Sequence, residues 1–147
     1  MLRAALVLSC VLVMALIVLF DETARIIPRQ LCWVLSALGV AYQFENAGME
    51  GVVAGIVAAA TVLAVIFAAC LVGGSNVRAI GGGDVRCMVA LALVTGDSCL
   101  FGALACCTVA VVAATVQRAR GRLLRGEPFP FAPFLAVWLT VGLALAT

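Results

Sequence analysis

Uncharged stretches alternate along this chain with short clusters of charge. The long ones cover residues 4–20, 51–77, 98–117 and 128–147. Each is near the roughly 20 apolar residues that cross a hydrocarbon core of about 30 Å. Two shorter runs, 30–44 and 87–96, are marginal as spans on length alone. Composition points the same way: of 147 residues, 66% are apolar and 11% charged. A soluble domain of this size could not hide so much apolar surface. The pattern predicts an all-α, polytopic membrane protein, organised as a single transmembrane domain over residues 1–147.

Charge decides the number of helices. All nine basic residues are arginine. With six transmembrane helices, one side holds Arg25, Arg29, Arg78, Arg86, Arg118, Arg120, Arg122 and Arg125. The other side holds only Arg3, with Glu45, Glu50 and Asp97. Dropping either short helix would flip everything after it and destroy this asymmetry. The positive-inside rule makes the arginine side cytoplasmic and puts both termini on the far side. Arginines at membrane ends anchor to headgroups, so the net charge of +2 calls for no nucleic acid.

Several features carry less chemistry than they suggest. Arg3 and the following apolar run resemble a signal peptide, but the run continues to Phe20 and ends in charge, which favours a retained first helix. The seven cysteines make no C-x-x-C pair, and no histidine is present to complete a zinc site. They read as small packing residues. Gly51 and Gly55 form a G-x-x-x-G that allows close helix contact. Such a motif packs helices within one chain as readily as between two, so oligomeric state is not set by the sequence. A glycine-rich loop is expected over 73–83. Pro128, Pro130 and Pro133 predict a bent start to the last helix.

The absence of histidine and lysine is the strongest chemical filter. It excludes Ser–His and Cys–His nucleophiles, H-E-x-x-H zinc sites, Ser–Lys dyads and lysine Schiff bases. Carboxylate chemistry remains. Glu45, Glu50 and Asp97 fall on the outer side, and Glu127 sits in an arginine-rich loop. Asp21 ends the first helix, and Asp84 opens the fourth after Gly81-Gly82-Gly83. Both lie on the cytoplasmic side and can meet at one membrane depth. Two carboxylates in one site cannot both ionise easily, so such a pair holds a single proton. One member takes a proton from water while the other polarises a carbonyl. An acid inside a membrane costs about 2.5–3.5 kcal/mol on insertion scales, so its presence needs a reason. The plainer reading is that both acids are hydrated helix caps. Gly81 and Gly83 either open a backbone edge beside Asp84 for an extended peptide or form a flexible connector.

Three separated segments resemble one family. Asp21-Glu22-Thr23-Ala24-Arg25-Ile26-Ile27-Pro28 resembles an aspartate followed, seven residues on, by the proline of an Ile-Pro pair. Gly81-Gly82-Gly83-Asp84-Val85-Arg86 resembles a catalytic Gly-x-Gly-Asp with a following basic position. Phe129-Pro130-Phe131-Ala132-Pro133-Phe134-Leu135-Ala136 resembles a Pro-Phe-Gly-Pro-x-Leu-Ala lead-in to a last helix. Together they are similar to the type IV prepilin peptidases, the G-x-G-D class of intramembrane aspartic proteases. The resemblance implies that Asp21 and Asp84 are the catalytic dyad, with Gly81, Gly83 and Pro28 near the active site. It implies cleavage of the leader from a prepilin or pseudopilin precursor at the cytoplasmic face of a bacterial inner membrane. No cofactor or metal is implied. Arg86 stands where the family usually has lysine, and Arg25 and Arg86 are candidates for substrate or headgroup contact. Arg29 replaces the usual Asn or Asp, and Ala132 the usual glycine. Longer members carry a cysteine-rich cytosolic segment associated with methylation. This chain begins at the first catalytic helix, so peptidase without methyltransferase activity is expected, as in the short form of tight-adherence pilus systems. The rival readings are a proton- or ion-coupled transporter and a catalytically inactive scaffold of a pilus or secretion assembly.

Overall fold

The computed structural model describes residues 1–73, 81–120 and 131–146. All regular structure among them is helical, as expected. The helices are α1 (Leu2–Ala24), α2 (Arg29–Gly73), α3 (Gly82–Thr95), α4 (Cys99–Ala119) and α5 (Ala132–Leu145). A 3₁₀ turn, Gly96–Ser98, separates α3 from α4. Three stretches, Leu2–Ala24, Arg29–Val72 and Gly82–Ala119, are long and apolar enough to cross a membrane. Leu12, Phe67 and Val111 on these stretches each leave more than half of their surface uncovered. Such an exterior suits lipid and not water. Hydroxyls inside the helices are satisfied locally. Ser9, Thr23, Ser36, Thr61 and Thr108 each donate to the carbonyl four residues back, at 2.7–2.9 Å. The protein is an integral membrane protein.

The apolar runs 30–44 and 51–77, the latter as far as Gly73, form two helical arms of α2 that meet at a kink. Residues 45–50 stay helical apart from a two-residue kink at Ala47 (φ −139°, ψ 16°) and Gly48 (φ 62°, ψ −142°). Gly48 takes a positive φ that a side chain would oppose, so the reversal fits into two residues. Glu45 and Glu50 are exposed beside the kink, as expected of solvated acids. Counting the arms of α2 separately gives six helical rods among the described residues. Both arms pack along α3. A Cβ on Gly39 would stand 2.9 Å from the Val94 backbone nitrogen, and one on Gly55 would stand 2.9 Å from the Leu93 carbonyl oxygen. Gly55 of the G-x-x-x-G is thus used inside the chain, while Gly51 packs against the Gln43 carbonyl within the kink.

Polar contacts tie one end of the bundle. Gln43 Nε2 donates to the Val94 carbonyl at 2.8 Å, and Trp138 Nε1 to Thr95 Oγ1 at 3.3 Å. Arg3 donates to the Ala146 carbonyl at 3.1 Å and lies 5.9 Å from the centre of the Tyr42 ring. These bonds join the start of α1, the kink of α2, the end of α3 and the end of α5. Gln43→Leu is expected to lower stability by about 1 kcal/mol, the usual size of an interhelical hydrogen bond in a membrane protein. Thermal unfolding in detergent measures this.

The opposite end gathers the end of α1, the starts of α2, α3 and α5, and the end of α4. Arg25, Arg29, Arg86, Arg118 and Arg120 lie there, with Arg3 at the far end. Arg78, Arg122, Arg125, Glu127, Pro128 and Pro130 fall outside the described residues. α3 begins inside the stretch expected as a loop, because Gly82 and Gly83 form its first turn. All seven cysteines are free thiols, and five are buried. Most of them therefore pack, as read from the sequence.

Candidate active site

Asp21 sits in the last turns of α1, only 8% exposed. Its Oδ2 accepts the backbone N–H of Ala132 at 3.1 Å. Ala132 is the first residue of α5, where N–H groups lack partners inside the helix. An anion there also meets the positive end of the helix dipole. Asp21 is therefore held by a residue 111 positions away in the chain.

Asp84 lies in the first turn of α3, half-buried, with Gly81 at the N-cap. The Gly81 N–H donates to the Asp84 carboxylate. This is the returning half of a capping box. Both acids thus do cap helices, as the plainer reading supposed. Capping alone does not explain why the charge of one acts on the other.

The segment between α1 and α2 packs the start of α3 beside the end of α1. Arg25 turns into the left-handed region (φ 53°, ψ 33°), and its N–H donates to the Asp21 carbonyl at 3.0 Å. The Pro28 carbonyl accepts the N–H groups of Leu31 at 3.1 Å and Cys32 at 3.5 Å, starting α2. Between them, Ile27 presses on α3. A Cβ on Gly83 would stand 3.0 Å from Ile27 Cβ. Gly83 is small so that α3 can approach the segment next to Asp21. This corrects the expectation that Gly83 opens an edge for substrate. The open backbone is at Gly82, where a Cβ would meet nothing within 4 Å. At Gly81 a Cβ would stand 3.2 Å from Asp84 Oδ2.

The Asp21 charge acts on Asp84, and the other polar group acting on that carboxylate is the Gly81 N–H. Among the described residues no cation acts on it. The fields of both acids reach Cys87, one turn along α3, whose thiol hydrogen-bonds that of Cys32 on α2. Among the described residues no three cysteine or acidic side chains converge as a metal site would need.

A model of the type IV leader peptidase family matches residues 6–115. The chain belongs to the type IV leader peptidase family. It is by that membership a peptidase, and the matched stretch contains both aspartates and the glycine turn. Residues 129–136 lie outside the match, and Ala132 of that segment meets the site through its bond to Asp21. No curated protein and no solved structure matches the chain.

An apolar groove of about 550 Å³ runs from this end towards the other. The second arm of α2 forms one wall (Val57, Thr61) and α4 the other (Leu100, Ala103), with Met88 and Phe131 lining it. Met88 is one helical turn from Asp84, on the same face. Phe131 precedes Ala132. Neither aspartate lines the groove itself.

Sequence reasoning missed Ala132 and Ile27 as site-building residues. The signal for Ala132 was present: Pro133 marks the first turn of a helix, and a helix start buried in a bundle seeks an anion. Because Ala132 acts through its backbone, Ala132→Gly is expected to retain activity. Its cost is about 0.5–1 kcal/mol of stability at most, measurable as precursor turnover beside a melting curve.

Proposed function

We propose that this protein is a membrane-embedded aspartic endopeptidase that removes the leader from type IV prepilin-like precursors. The reading carries six crossings, with the arginine-rich end at the cytoplasmic face of a bacterial inner membrane. The observation that supports it most is that the charge of Asp21, on α1, acts on Asp84, on α3. The ionised aspartate takes a proton from water, and the water oxygen attacks the scissile carbonyl. The protonated aspartate donates to the carbonyl oxygen. Collapse of the tetrahedral intermediate passes a proton to the departing amine. The products are a leader with a new carboxylate and a mature chain with a free amine. One water is consumed, and hydrolysis needs no further group.

The groove suits the apolar helix of a single-span substrate. A helix lying there would bring the residues at its end to the acids. Co-expression with precursors carrying a short basic leader and one apolar helix tests the activity. A shortened product of the mass expected for leader loss supports it, and intact precursors throughout would overturn it. A photo-crosslinker at Val57 or Leu100 of inactive Asp84→Asn enzyme is expected to capture the precursor. The same group at exposed Val40, outside the groove, is not. Equal capture at all three positions would reject the groove as the docking path.

A further inference from the structure

A second cavity, of about 240 Å³, shares no lining residue with the groove. It lies between α2 and α3 at the arginine-rich end. Arg29 and Arg86 come to its mouth from different helices, and Trp33, Leu63, Val85 and Val89 line it with apolar surface. Arg29 is the first residue of α2, so the positive end of that helix adds to the field. No carboxylate is among the described residues lining the cavity. Two guanidinium groups at one mouth repel each other unless an anion lies between them. Arginine forks match phosphoryl oxygens in pairs. The apolar lining asks for a chain on the same ligand. Trp33 is 69% exposed and stands one helical turn from Arg29, and tryptophan favours membrane–water interfaces.

We propose that this cavity binds an anionic phospholipid. Its phosphoryl group sits between Arg29 and Arg86, and an acyl chain lies against Leu63, Val85 and Val89 beside Trp33. Free phosphate offers the same oxygens but leaves the apolar surface uncovered. The site does not depend on the protease reading. It gives Arg29, which departs from the family pattern, a task shared with Arg86.

The chain has two tryptophans. Trp138 is buried, with its N–H on Thr95. Quenching by brominated lipid in reconstituted bilayers therefore reads Trp33. In phosphatidylcholine bilayers, brominated phosphatidylglycerol is expected to quench far above its mole fraction, and brominated phosphatidylcholine only in proportion. The Arg29→Gln/Arg86→Gln double variant should weaken that preference roughly thirtyfold, at about 1 kcal/mol for each arginine. The Arg29→Lys/Arg86→Lys variant should keep the part due to charge and lose the part due to the guanidinium forks, while Arg118→Gln/Arg120→Gln on α4 should keep most of the preference. Circular dichroism checks that each variant is folded. Equal quenching by both lipids, or an unchanged preference in the double glutamine variant, would overturn the proposal. Displacement of the lipid by millimolar inorganic phosphate would also overturn it, since the site would then take the free anion.

Discussion

Asp84→Asn is expected to lower precursor cleavage at least about a hundredfold while the bundle stays folded. General acid–base groups contribute typically 10²–10⁴-fold. Asparagine is the decisive replacement because it separates the two tasks of each acid. Its amide oxygen still accepts the Gly81 N–H, and asparagine caps helices about as well as aspartate. In Asp21→Asn the same oxygen still accepts the Ala132 N–H. Helix starts, inserted protein and melting behaviour should therefore survive in both variants. An amide, however, cannot take a proton from water or return one at neutral pH. If the acids only cap, both variants will cut normally. If they form the dyad, each will be inactive and the double variant no worse than either. Turnover, membrane insertion and thermal stability, measured together, decide between these outcomes.

The second large effect is expected at Gly83. Gly83→Leu inserts a branched chain where a Cβ alone would stand 3.0 Å from Ile27. Backbone and side chain of Ile27 crowd the same place, since its carbonyl oxygen lies 3.7 Å from that Cβ position. The start of α3 must then lift away from the 25–28 segment and carry Asp84 with it. A displacement near 1 Å at a catalytic group can cost about a hundredfold. The bonds that tie the far end of the bundle are untouched. Activity should collapse while the protein still inserts. Gly82→Ala is the matched control, because a Cβ there meets nothing within 4 Å. Equal losses in Gly83→Leu and Gly82→Ala would refute this account of the glycine turn.

The apolar runs made the helical class legible, because hydropathy integrates over many residues and tolerates local errors. The kink of α2 was not legible. A loop and a two-residue reversal present the same glycine and acids to a reader of sequence, and only backbone angles separate them. Asp21 and Asp84 could be selected by elimination, since no histidine or lysine competes with them. Their means of approach could not be. Ile27 looks like any apolar residue, and its contact with Gly83 depends on how α3 leans. Ala132 was hidden for another reason. It acts through an N–H group that every residue but proline carries, so its identity says nothing of its task.

The bond between Asp21 and Ala132 also sets an order in time. During synthesis α1 is made first, and α5 follows more than a hundred residues later. The arms of α2 can clasp α3 in the interval, since all three lie close in the chain. Asp21 meanwhile waits without its α5 donor. The bond that fixes one acid of the proposed pair cannot form until α5 has been made, so the nascent chain would be a disarmed protease.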